Sequence, residues 1–268
     1  MLYFAPLNME RLNGLAPEAI KDLRSIVKRR KWAFLENPDQ LWLFKFTGLF
    51  LHGTTINRAL NQVNGRDDET RTIRDLVREK RKTTGVPLML DLMGFGGIIN
   101  DANVKGCAVA KSDQRTRARR KRDELVGNGF IKGDIRYAKT WKGIHKWLEE
   151  EEGGKRFDII ICHPLGAIRS IPPNVTFHAY AFKHLYSMLS SDDGYMFLQP
   201  NLEINTVKKY VMSLNEIPGI SAVLDSVDWC FALKKSQGSP EDIISALQAA
   251  AQSKPKVVPT SHKLTLDI

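Results

Sequence analysis

Apolar residues along the chain keep two rhythms, short continuous runs and stripes at helical spacing, and from residue 86 onward the two alternate. Leu88 to Leu92 is an apolar run broken only by Asp91, the pattern of a strand covered on both faces. Further strands are predicted at Gly106–Lys111, at Phe130–Ile131, at Phe157–Cys162 and at Gly194–Leu198. Between them lie helical segments at Thr116–Val126, Thr140–Glu152, Val175–Leu189 and Asn205–Leu214. Such alternation predicts a parallel sheet with helices on both faces. The last two strands, Ile220–Leu224 and Trp229–Leu233, have no helix between them, so an antiparallel pair is expected.

Residues 1–82 have a different texture and read as a helical N-terminal extension. A helix opening at Pro17-Glu18 carries Ile20, Leu23, Ile26 and Val27 on one stripe and ends in Lys28, Arg29, Arg30 and Lys31. Leu41 to Leu51 is too apolar for a surface helix, and Asp67 to Lys82 is charged and amphipathic with Ile73, Leu76 and Val77 inward. After residue 235 comes a tail, 236–268, with one alanine-rich helix from Pro240 to Gln252. The polar end that follows has the composition of a segment disordered or bound to a partner. The domains expected are thus 1–82, 83–235 and 236–268. The extension and the tail are the places where a protein partner is expected.

Three glycines, Gly94, Gly96 and Gly97, follow the Leu88–Leu92 strand within four positions. Glycines there let the backbone turn tightly and approach a ligand, while the Asp91 carboxylate can accept from ligand hydroxyls or an ammonium. From Asp91 to Asp113 is 22 positions, which puts Asp113 where an acid on the second strand meets the ribose of an adenosine. Asp134, after the third strand, stands where an adenine amino group is met.

The ordered segments L-D-L-M-G-F-G-G, A-K-S-D, G-D-I, F-D-I-I-I-C-H-P and D-G-Y-M-F-L together resemble the class I S-adenosylmethionine-dependent methyltransferases, from Val86 to Lys235. The resemblance implies a doubly wound α/β fold with a seven-stranded, mostly parallel sheet and a final antiparallel strand. It implies S-adenosyl-L-methionine as cofactor, its methionine end over Gly94, Gly96 and Gly97, its ribose on Asp113 and its transferred methyl facing the loop after the fourth strand. The chain departs from the pattern in two places. The family loop carries glycines at the second, fourth and sixth positions after the strand-end acid, which here are Met93, Phe95 and Gly97. A shifted turn would let Gly94 and Gly96 serve; otherwise Met93 and Phe95 partly fill the pocket. Amino-directed members place Asp/Asn-Pro-Pro-aromatic after the fourth strand, where this chain has Cys162-His163-Pro164-Leu165. His163 then stands either as a general base or as a polar cap on the strand end. A nicotinamide dinucleotide is the competing cofactor. Asp91-Leu92-Met93 at the strand end, where its loop puts a glycine, argues against it.

Charge adds a second theme. The chain of 268 residues has a formal net charge of +10. Arg115, Arg117, Arg119, Arg120, Lys121 and Arg122 put six cations into eight positions. That density favours a polyanion, and phosphate contact by these residues and by Lys28–Lys31 points to nucleic acid, RNA ahead of DNA. The alternative is a solvated helix balanced by Asp123 and Glu124. Cys107, Cys162 and Cys230 are scattered through apolar runs without metal-ligand spacing, so reduced buried thiols and an intracellular address, cytoplasmic or nuclear, are expected. No metal site and no membrane span is expected, since no apolar run reaches the ~20 residues a bilayer needs. The function expected is methyl transfer from S-adenosylmethionine to a nucleic acid. The alternative is a methyltransferase-like subunit that binds nucleic acid or assembles without catalysis.

Overall fold

The computed structural model describes residues 54–66, 71–83, 85–94, 96–110, 112–113, 115–135, 137–162, 175–198, 204–225 and 230–253. The proposed basic end at Lys28–Lys31, Phe95, and His163 with Pro164 lie outside the described residues. The chain begins with helices α1 (Thr54–Val63) and α2 (Ile73–Thr83). Then β1 (Leu88–Leu92), α3 (Gly97–Ala102), β2 (Lys105–Ala110), α4 (Arg117–Leu125), β3 (Gly129–Lys132), α5 (Ala138–Glu152) and β4 (Ile159–Cys162) alternate. α6 (Val175–Met188), β5 (Gly194–Leu198), α7 (Ile204–Asn215), β6 (Ile220–Leu224), β7 (Phe231–Lys235) and α8 (Ile243–Ser253) complete it.

Seven strands form one sheet in the order β3-β2-β1-β4-β5-β7-β6. β1 to β5 run parallel, and β7 inserts antiparallel between β5 and β6. The pleat sends alternate residues to opposite faces, and the two faces carry separate cores. Leu88, Leu90 and Leu92 face the side covered by α5, α6, α7 and α8, where Trp141, Ile144, Leu185, Val207 and Ile243 pack. Met89, with Ile159 and Ile161 of β4 and Tyr195 and Phe197 of β5, faces α1, α2 and α3. Asp91 shares the parity of Met89, so the one carboxylate of β1 enters the second face and is fully buried.

Two helices within the span expected as the N-terminal extension, α1 and α2, lie against this second face. α1 presents Ile56, Ala59, Leu60 and Val63 at the i, i+3, i+4, i+7 positions that make one helical stripe, all buried. Arg58 on α1 grips the buried Asp225 just beyond β6 with Nε–Oδ1 2.6 Å and Nη2–Oδ2 2.9 Å. α2 buries Leu76 and Val77, and its Lys80 reaches Asp158 at 3.4 Å. Asp158 in turn accepts from the Leu88 backbone N–H at 2.9 Å, which sets the start of β1. On the other face, Lys235 at the end of β7 is buried, its ammonium against the Tyr186 and Leu189 carbonyls at 3.4 and 3.3 Å and over the Tyr186 ring. The acidic end of α5 does structural work at one position, because buried Glu152 pairs with Lys105 at 2.5 Å.

Candidate functional site

The chain leaves β1 for β2 and β3 on one side of the sheet, then returns to β4 on the other. Side-by-side crossovers in opposite directions open a crevice beyond the carboxyl ends of β1 and β4, where open α/β sheets hold their ligands. Asp91, the glycine loop and the end of Cys162 all stand there, because each occupies the carboxyl end of its strand. Asp113 follows β2 and Asp134 follows β3 at the same edge.

Within the loop, Asp91 Oδ2 accepts from the Gly96 backbone N–H at 2.6 Å. This bond folds the loop back onto the strand that carries it. Gly94 sits so close that a Cβ there would lie 2.0 Å from Asp91 Oδ1, so only glycine fits beside the buried carboxylate. Gly96 has φ 76°. Met93 has φ 63°, the left-handed conformation that glycine adopts freely and methionine does not. The backbone at Met93 has therefore taken the turn that a glycine would take there, without the residue. Its side chain packs against the core on the α5–α6 face.

Asp113 is held by its near neighbour Arg115. Oδ1 accepts from the Arg115 backbone N–H at 3.0 Å and from Nε at 2.9 Å, and Oδ2 accepts from Nη2 at 2.9 Å. The guanidinium beside it draws the Asp113 carboxyl down to about 2. A carboxylate offers about four acceptor positions, so with three engaged, one on Oδ2 remains for a ligand. Arg115 also bonds buried Asp123 at 2.9 Å and lies over the Phe130 ring at 4.0 Å. Asp123 accepts from Asn100 of α3 at 3.1 Å, so the network ties α3, α4 and the second-strand acid together. Asp134 contributes its carbonyl, which accepts from Thr140 Oγ1 at 2.7 Å.

The six clustered cations divide three ways. Arg115 is spent inside the network just described. Arg119 is partly buried and rests its guanidinium against Gly96 and Gly97. Arg117, Arg120, Lys121 and Arg122 are exposed and make the basic surface of α4, with Arg120 also 3.9 Å from Asp113. Cys107 and Cys162 are buried, and burial pushes both thiols far above their usual range. Both stand as the reduced buried thiols expected from their apolar surroundings. His184 stacks on Trp141 and meets His145 at 3.3 Å, a packing role on the α5–α6 face. Among the described residues, no cluster of His, Cys, Asp or Glu suits a metal ion, and no helix is long and apolar enough to cross a membrane.

What decides the fold is the strand order together with the reversed β7 between β5 and β6, over a β1 loop anchored by a strand-end acid. This is the class I methyltransferase fold. No protein-family model and no curated protein matches the sequence. Among solved structures, the chain is similar to a sugar N-methyltransferase from a Streptoalloteichus species, at 20% identity and TM-score 0.31, over 48% of this chain and 45% of that one. A ribosomal-protein methylase from Lactobacillus delbrueckii subsp. bulgaricus matches at 14% identity and TM-score 0.33, over 63% and 80%. A T. thermophilus 16S rRNA methyltransferase in complex with AdoMet and guanosine matches at 17% identity and TM-score 0.32, over 63% and 44%. The chain thus spans less than half the length of the first and third of these. At such values the likeness carries no argument, and the fold rests on the strand order.

Sequence reasoning missed Arg119 as a neighbour of the glycine loop and Arg115 as the partner of Asp113, because it counted both as surface charge. The spacing held one clue: an arginine two residues past an acid in a turn is within reach of it.

Proposed function

We propose that the protein transfers a methyl group from S-adenosylmethionine to a nucleic acid, RNA ahead of DNA. The observation that carries this reading is the loop after β1: a buried strand-end carboxylate bonded back to Gly96, with no room for a side chain at Gly94. The residues suit an adenosyl cofactor in that the backbone keeps the glycine-type turn at Met93 although the side chain differs. Bound there, the cofactor supplies an electrophilic methyl on a sulfonium. Asp91 shapes the loop, and Gly94, Gly96 and Gly97 bring its backbone against the ligand. Asp113 gives its remaining acceptor position to a ribose hydroxyl, and Asp134 stands for the adenine. His163, followed in sequence by Pro164, takes the proton released by the accepting group as general base. Holding donor and acceptor in line supplies much of the rate in such a transfer.

The basic face of α4 supports the polyanion. Arg117, Arg120, Lys121 and Arg122 project to solvent, whereas Arg115 and Arg119 turn inward. Phosphate contacts release counterions, so affinity for RNA should fall steeply as salt rises. Neutralising Arg117, Arg120 and Lys121 together should flatten that slope by up to about three counterions. The test of the whole reading is transfer of an isotope-labelled methyl from S-adenosylmethionine to total cellular RNA by the wild type and by His163→Ala. Label in the RNA with wild type and its loss with the variant support it; no label in RNA, with label in protein or small molecules instead, refutes the substrate class.

A second reading, a domain that binds RNA without catalysis, is favoured by two features. Met93 replaces a glycine of the family loop, and three of the four acceptor positions of Asp113 are engaged by Arg115.

A further inference from the structure

Arg119 leaves the exposed face of its helix and lies against the glycine loop. Its Nη2 is 3.4 Å from where a Cβ on Gly97 would stand and 3.8 Å from one on Gly96. The guanidinium thus lies in van der Waals contact range of the loop at both glycines. The Arg119 Nε and Nη2 are shut off from solvent and have no hydrogen-bond partner among the described residues. A guanidinium carries five donors in a planar fork and does not lose its proton. Leaving such donors buried and unmet is costly, and an arginine fork is matched by a carboxylate or a phosphate, which can accept two parallel bonds. The neighbouring acids are engaged elsewhere: Asp113 and Asp123 with Arg115, Asp91 with the Gly96 N–H.

We propose that Arg119 is an oxyanion-recognising residue of the glycine-loop site, which reads the charged tail of the ligand rather than its adenosine. The inference rests on the adenosyl-cofactor reading for the identity of that oxyanion, the carboxylate of the amino-acid tail. A phosphate presents the same chemistry, and the two sources are separable by experiment. The residue lies outside the glycine motif, on the helix that follows the second strand, so the site is assembled from two crossovers of the sheet.

The experiment is a calorimetric titration of the full chain with four ligands: S-adenosylmethionine, 5′-methylthioadenosine, which lacks the amino-acid carboxylate, ADP and adenosine. Wild type, Arg119→Ala and Arg119→Lys are compared, with thermal unfolding run on each to confirm that it folds. The expected result is that Arg119→Ala weakens S-adenosylmethionine by roughly ten- to a hundredfold, the range for hydrogen bonds to a charged group. Methylthioadenosine should change less than about twofold, and Arg119→Lys should recover part of the loss. Equal weakening of both adenosyl ligands would make Arg119 a packing residue and overturn the proposal, as would no change in either. If wild type binds ADP but neither adenosyl ligand, and Arg119→Ala abolishes the preference for ADP over adenosine, the oxyanion site stands as a phosphate site while the cofactor reading falls. If wild type binds none of the four, both fall.

Discussion

At Met93 the backbone sits at φ 63°, and this residue holds the clearest tension between sequence and fold. In an ordinary position glycine is less stable than alanine, because it loses more freedom on folding. Where φ is positive the order reverses, since alanine keeps the clash of its Cβ and glycine does not. Met93→Gly should therefore be more stable than Met93→Ala by about 1 kcal/mol in urea unfolding. Alanine the more stable of the two would mean that the left-handed turn is not fixed by the loop. Asp113 provides the second residue-scale prediction. Its carboxyl lies near 2 when folded, against 3.8 ordinarily, because of Arg115. A depressed acid stabilises the fold above its unfolded value and loses that contribution as pH falls through the folded one. The pair should thus be fully effective above about pH 4 and fade toward pH 2. Replacing Arg115 by alanine should return the Asp113 carboxyl toward its ordinary value in a carbon-detected NMR titration. A carboxyl that stays near 2 in the variant would assign the shift to another group.

The elements were the most legible part of the sequence, for a reason visible in β1. A strand covered on both faces must be apolar at every position, and Leu88–Leu92 announces itself that way even with Asp91 inside it. β5 and β6 fall at the expected residues, and α5 and α7 lie within two residues of expectation, because their stripes repeat over three or more turns. α1 is different. Its stripe of Ile56, Ala59, Leu60 and Val63 spans only two turns and is a weaker signal than the more apolar Leu41–Leu51 segment before it in sequence, which lies outside the described residues. What the stripe could not tell is which surface it meets, since that depends on β6 and β7, more than 150 residues later. The site was legible in its acids and glycines, and illegible where a side chain's direction decides the chemistry. Arg115, Arg117 and Arg119 look alike in sequence, yet one is paired, one is exposed and one is turned onto the loop.

Between α5 and α6 a different kind of link is built. His145 Nε2 and His184 Nδ1 are 3.3 Å apart, and Trp141 and Tyr180 pack on the His184 ring. Burial lowers the pKa of both histidines, with Lys183 adding to the effect at His184 and Glu149 partly offsetting it at His145. A histidine whose folded pKa is depressed binds protons more readily when unfolded, so acidification below about 6.5 destabilises the fold. The melting temperature should fall between pH 7 and pH 5, and His145→Asn with His184→Asn should make that fall smaller. An unchanged fall in the double variant would place the titrating groups elsewhere.

For the whole molecule, the sheet topology concentrates the chemistry at one edge. Parallel strands β1 to β5 send their carboxyl ends to the same side, so four crossovers deliver loop residues to a common rim. Net charge acts at this scale too. With +10 overall, the molecule attracts a polyanion before any specific contact forms. If the loop after β1 holds S-adenosylmethionine, calorimetric titration of the full chain with that cofactor reports it without any need for the acceptor. The expected result is saturable one-site binding, weakened at least about tenfold by Asp113→Ala, roughly the loss from removing an acceptor to a ligand hydroxyl. No heat of binding at millimolar cofactor, or binding indifferent to Asp113, would contradict it.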